Sequence, residues 1–211
     1  MLNKLKTIIP TYAIIPLALA LIVNMTVYVG VSALRDFLTF SSLETPLDRA
    51  IPFVAPFVLF YVLAFVQWVL NYIFIARESK EVCYQFALGD IIAKIICFFF
   101  FLFLPTTLAR PDVPETGLCN QLVRFIYQMD APVNLFPSIH CLESWCCIHA
   151  ALRLKKLPHW YLGVTIVMSL GVFASTLFIK QHVIVDVFAG IAVFEIGYYF
   201  AGWLLSKKKK A

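Results

Sequence analysis

Apolar residues along this chain gather in long, nearly unbroken runs separated by short polar segments, without strict alternation of polar and apolar positions. Six runs can be drawn, at about 12–34, 51–76, 82–108, 138–154, 160–179 and 182–205. A helix needs roughly 20 apolar residues to cross a hydrocarbon core about 30 Å thick. The pattern therefore predicts an all-α, polytopic membrane protein with six transmembrane helices. Little chain is left over, so residues 1–211 are expected to form a single domain. Between spans three and four, Leu118, Leu122, Phe125, Ile126 and Met129 recur at helical spacing with Gln121, Arg124 and Gln128 among them. That amphipathic stripe predicts a short interfacial helix in the loop.

Composition agrees with this reading. Of 211 residues, 62% are hydrophobic and 14% charged, and the mean hydropathy of +0.87 excludes a single water-soluble core. The first run begins after Pro10 and exceeds twenty residues without a small-residue cleavage site, so it reads as a retained anchor. The net charge of +5 comes largely from short clusters such as residues 207–210, the mark of cytoplasmic ends, and a nucleic-acid partner is not expected. Lys4 and Lys6 precede span one, Arg77 and Lys80 separate two and three, Arg153, Lys155 and Lys156 separate four and five, and the lysine tail follows six. Both termini are then expected in the cytoplasm, with segments 35–50, 109–137 and 180–181 on the extracytoplasmic side. The six cysteines lack metal-finger spacing and lie mostly in apolar stretches, so neither structural disulfides nor a metal site is expected.

Three outward segments carry polar groups at one membrane level: Arg110-Pro111, Pro137-Ser138-Ile139-His140, and 175–186. His182 and Asp186 are four apart, so a carboxylate can hold one imidazole nitrogen protonated while the other attacks. The same spacing also suits a polar pair that stitches helices together. Ser138 stands at the start of an apolar run, where it serves either as a simple helix cap or as part of a phosphate seat. His140 beside it is a candidate general acid. Arg110 offers a planar fork of donors for phosphoryl oxygens, or pairs at the interface with headgroups or Asp112. Among the other polar residues of the runs, Asp90 and Lys94 are placed to pair with each other. Glu143 either tunes His140 or makes a structural hydrogen bond. Glu195, Asn24 and Asn71 read as interhelical contacts, Trp145 as lipid-facing or interfacial bulk, and His149 is assigned no role.

The order and spacing of these residues resemble the type 2 phosphatidic acid phosphatase superfamily, which includes lipid phosphate phosphatases and inositol phosphoceramide synthase-like phosphotransferases. The resemblance covers roughly residues 48–190. The family's motifs run K-x6-R-P, P-S-G-H and S-R-x5-H-x3-D. Arg110-Pro111 matches the end of the first, Pro137, Ser138 and His140 match the second, and Ser175, His182 and Asp186 match the third with its spacing intact. The resemblance implies His182 as a nucleophile that forms a phosphohistidine, Asp186 as its partner, His140 as general acid, and Arg110, Ser138 and Ser175 as phosphate ligands. Phe103, Ile139 and Thr176 stand where the family has lysine, glycine and arginine, so two of its cations are missing. Lys180, one turn beyond Thr176, either returns a positive charge to the pocket or snorkels to the interface. The activity implied is metal-independent and cofactor-free hydrolysis of a lipid phosphate or pyrophosphate on the extracytoplasmic side, with the lipid and the bilayer as partners. Transfer of a phospho-headgroup to an alcohol is the alternative, and a non-catalytic lipid-binding or transport protein is a third.

Overall fold

The computed structural model describes residues 8–208, so Lys4, Lys6, Lys209 and Lys210 of the terminal basic clusters lie outside the described residues. In chain order the described α-helices are α1 (Thr11–Leu34), α2 (Pro46–Ala50), α3 (Val58–Glu78), α4 (Lys80–Phe103), α5 (Leu118–Met129), α6 (Ile139–Ala151), α7 (His159–Phe178) and α8 (Ile184–Lys208). Turns of 3-10 helix at Arg35–Phe37 and Ala55–Phe57 extend α1 and introduce α3. No strand forms among the described residues, only isolated bridges pairing Ser41 with Thr106 and Thr107 with Val133.

Five helices, α1, α3, α4, α7 and α8, are long and apolar enough to cross a membrane, which is the make-up of a polytopic membrane protein. The run at 138–154, expected as a sixth span, instead forms the 13-residue α6. At 1.5 Å per residue α6 is about 20 Å long, short of a bilayer core about 30 Å thick. Nine of its 13 residues are buried and none is exposed, packed among α3, α7 and α8, so it runs through the protein rather than along lipid. Two other boundaries also move. Leu104 leaves the helical region before Pro105, which disfavours a helical predecessor, so α4 stops at Phe103 rather than near 108. α8 begins at Ile184, two residues after His182.

Side-chain contacts define the two ends of the bundle. At one end Lys156 bonds the carbonyls of Arg77 and Glu78, the latter closely, and Tyr12 donates to the Ala76 carbonyl. This end gathers the start of α1, the α3–α4 turn and the α6–α7 turn, with Arg77, Lys80, Arg153, Lys155 and Lys156 on them. At the other end Val54 N–H bonds the Phe178 carbonyl at 3.0 Å, and the segment around Thr106 meets Ser41 and the loop that follows α5. The chain passes from this second end to the basic end through α6.

Close crossings depend on missing side chains. A Cβ on Gly197 of α8 would lie 2.4 Å from the Gly89 carbonyl of α4, and one on Gly190 would lie 2.4 Å from the Ser138 carbonyl at the start of α6. Such small positions let helix backbones touch where apolar burial gives no drive to associate. Polar groups bind the interior as well. Lys94 Nζ sits 2.5 Å from Asp90 and also contacts Glu143, whose other oxygen accepts from Tyr72 at 3.1 Å. Of the two roles open to Glu143, its contacts are therefore structural. Glu195 accepts from Trp145 at 2.6 Å and pairs with His149 at 2.9 Å, so Trp145 is a half-buried, hydrogen-bonding residue packed against the core rather than lipid-facing or interfacial bulk.

Candidate functional site

The α7–α8 turn is built by hydrogen bonds that end one helix and begin the next. Gln181 N–H bonds the Thr176 carbonyl at 2.9 Å and Lys180 N–H bonds the Leu177 carbonyl at 3.2 Å, the paired bonds of a Schellman ending. Lys180 takes the left-handed position at φ 52°, where glycine is usual. Its Nζ reaches over to the carbonyls of Asp48 and Ile51 at 2.9 and 2.6 Å. Asp48 in turn caps α2 with Thr45 and accepts from the first N–H of α8, Ile184, at 2.7 Å. Burial works against the charge of Asp48, but the hydrogen bonds from Thr45 and Ile184, with Lys180 nearby, hold its carboxyl below the usual range. The turn is thus clamped from outside by segment 45–51.

His182 leaves this turn with its Nδ1 3.2 Å from Asp186 Oδ2, which also accepts the Val183 N–H at 3.0 Å. Because the carboxylate only accepts, the shared proton belongs to Nδ1 and the lone pair of a neutral ring is left on Nε2. Asp186 Oδ1 is buried and has no partner among the described residues. Ser138, also buried, takes the Cys141 N–H on its hydroxyl and gives its own N–H to the Asp186 carbonyl at 3.1 Å. That bond and the Gly190 crossing bring the start of α6 against α8. His140 stacks on Tyr61 with ring centres 4.3 Å apart, has Trp68 at 5.4 Å, and stands 5.9 Å from the His182 ring.

Both imidazoles line an open-sided cavity of about 840 Å³ bordered by α1, α3, α5 and the segment leading into α6. α1 packs on α4 and not closely on α3, which leaves the gap where the cavity lies. Tyr61, Phe65, Leu122 and Ile126 make its walls apolar, while Tyr28, Asp130, Asn134 and Gln181 add polar groups. Burial raises the Asp130 carboxyl above the usual range, against the opposing pull of Arg110 and His182. Its Oδ1 accepts a 3.3 Å bond from Tyr28.

Arg110 lies beside the cavity with both terminal nitrogens occupied and its buried Nε–H without a partner among the described residues. Its Nη1 bonds the carbonyls of Tyr127 and Asp130, its Nη2 bonds Gln181 Oε1 at 2.5 Å, and its face covers the Tyr127 ring at 4.3 Å. Burial pushes the Tyr127 hydroxyl up to about 12, so it stays a donor to the Ile179 carbonyl at 2.6 Å. The structure thus gathers His182, Asp186, His140, Ser138 and Arg110 around one corner. Two other sequence candidates turn elsewhere. Lys180 spends its ammonium on the 48–51 carbonyls, and Ser175 donates to the Val172 carbonyl inside its own helix. Among the described residues no three His, Cys, Asp or Glu side chains gather as a metal site. Sequence reasoning passed over Gln181, Tyr127 and Asp130. The only local signal was a glutamine between Lys180 and His182 in the short turn.

Comparison with protein-family models, curated proteins and solved structures finds no match to this chain.

Proposed function

We propose that this chain is a membrane enzyme that hydrolyses a lipid phosphate or pyrophosphate through a phosphohistidine at His182. The observation that carries the reading is the pairing of two imidazoles on one wall of a large, mostly apolar cavity, one ring held by a buried carboxylate. The motif resemblance to the type 2 phosphatidic acid phosphatase superfamily supports it.

The lipid tail lies between α1 and α3, and its phosphate meets His182. The Nε2 lone pair of His182 attacks phosphorus while the bond to the leaving oxygen breaks, and His140 gives that oxygen its proton. Asp186 stabilises the positive charge that the phosphorylated ring acquires. Water then attacks phosphorus and gives a proton to His140, the N–P bond breaks, and inorganic phosphate leaves with His182 neutral again. The helix start at Ser138 and the Arg110 assembly supply the electrostatic complement to the phosphate.

The chain crosses the bilayer six times in this reading, with the buried α6 as a short internal passage and α5 in the interface. Lysine and arginine at one end of the bundle support a cytoplasmic placement of that end and of both termini, with the site on the opposite side. Transfer to an alcohol in place of water draws support from the cluster of Tyr28, Asp130 and Asn134 in the same cavity, which could seat a hydroxyl acceptor.

The test is release of inorganic phosphate from a panel of lipid phosphates and pyrophosphates by purified protein in EDTA. Release is expected from the intact chain and not from His182→Ala. Equal release by both removes His182 as nucleophile, and no release by either removes the hydrolase reading and leaves alcohol-acceptor assays as the next measurement.

A further inference from the structure

Gln181 is 2% exposed, lines the cavity and immediately precedes His182. Its two amide ends are in opposite circumstances. Oε1 is held by Arg110 Nη2 at 2.5 Å, and a guanidinium only donates, so the oxygen must be the end that faces Arg110. That orientation turns Nε2 away from the guanidinium. Nε2 is buried and has no hydrogen-bond partner among the described residues. A buried amide donor without an acceptor is costly, and beside a cavity a bound group that supplies the acceptor is one way to offset that cost. Arg110 has both terminal nitrogens engaged and its face covered by Tyr127, which leaves its buried Nε–H, without a partner among the described residues, as its one remaining donor nitrogen.

We infer that Gln181 Nε2 is the donor that receives a phosphoryl oxygen in this site, and that Arg110 acts as a positioning residue by gripping Gln181 Oε1. The inference rests on the phosphoryl-transfer reading for the identity of its ligand, and the acceptor it fits is a tetrahedral phosphoryl oxygen next to His182. A neutral donor polarised by a guanidinium then stands where a cation would otherwise meet the phosphate. The charge is still delivered, relayed through one amide.

The test measures orthovanadate binding to the full chain in nanodiscs by calorimetry, with melting temperature in parallel. Gln181→Glu keeps an oxygen for Arg110 but replaces the Nε2 donor with a second oxygen. It is expected to melt at or above the temperature of the intact chain and to bind orthovanadate at least tenfold more weakly. Gln181→Met, which lacks both the donor and the added charge, should weaken binding less than Gln181→Glu. Arg110→Met should weaken binding, and adding Gln181→Met to it should weaken it no further, because both act through one donor. Unchanged binding in Gln181→Glu, or additive losses in the double variant, would overturn the inference, as would an intact chain that does not bind orthovanadate. Binding that depends on Gln181 in a chain that hydrolyses no lipid phosphate supports the inference and counts against the hydrolase reading. Hydrolysis with KM unchanged in Gln181→Glu does the reverse. Displacement of orthovanadate by a short-chain lipid phosphate assigns the seat to the lipid headgroup, and displacement by orthophosphate alone assigns it to free phosphate.

Discussion

Replacing Gly190 by alanine puts a methyl group where α8 crosses the start of α6. The new Cβ would stand 2.4 Å from the Ser138 carbonyl oxygen and 3.1 Å from the Leu142 nitrogen, whereas ordinary contact begins at 3.4 Å. The α6 start must therefore retreat by about 1 Å, the gap between those two distances. The Ser138 N–H bond to the Asp186 carbonyl, now 3.1 Å, then passes out of reach. Overpacking costs about 1–3 kcal/mol and the lost hydrogen bond about 1 kcal/mol, against about 1 kcal/mol gained by removing glycine from a helix. The expected net loss is about 1–3 kcal/mol. Gly163 in α7 is the control, because nothing lies within 4 Å of its Cβ position, and Gly163→Ala should stabilise by about 0.5–1 kcal/mol. Reversible unfolding in mixed detergent micelles compares the two. Under conditions where Gly190→Ala is fully folded, phosphate release should still fall on the order of 10- to 100-fold, since His140 moves away from His182 with α6. Equal stability of the two alanine variants would refute the packing argument. Full turnover by a destabilised but folded Gly190→Ala would refute the claim that this crossing sets the spacing of the two histidines.

Asp186→Asn should retain the fold and lose on the order of 10²- to 10⁴-fold in phosphate release, because the amide no longer holds the His182 proton on Nδ1. Retained turnover would make Asp186 structural only. Lys94→Met should cost about 3–5 kcal/mol in the unfolding assay, since two carboxyl groups are left buried without their cation. Adding Asp90→Asn and Glu143→Gln should recover much of it, and no recovery would mean that the cluster's charges are not what destabilises the single variant. Asp48 has a folded pKa below its unfolded value of about 3.9, so its contribution is complete above pH 4 or so and is lost as pH falls through the folded value. Asp48→Asn should lower stability by about 1–2 kcal/mol at pH 7 and show a smaller further fall than the intact chain between pH 5 and 3. Parallel pH profiles would remove Asp48 as the source.

The apolar runs, the capping serine at 138 and the His182-x3-Asp186 spacing are local facts, legible because helix length, cap chemistry and side-chain reach depend on neighbours in sequence. They were enough to place the five long helices among the described residues and to bring His182, Asp186 and His140 into one neighbourhood. Hydropathy could not distinguish a helix that crosses lipid from the short α6 buried inside the bundle, because both present apolar residues on every side. Nor could spacing place charged side chains whose partners are far along the chain. Lys180 has a local reading as a cation at the pocket, yet carbonyls 129 and 132 residues away hold its ammonium. Glu143 lies one turn from His140 but finds Lys94, 49 residues away. Arg110 meets Gln181 across 71 residues. A long flexible side chain ends where the tertiary fold puts an oxygen, and in a low-dielectric interior its best partner outweighs any local preference.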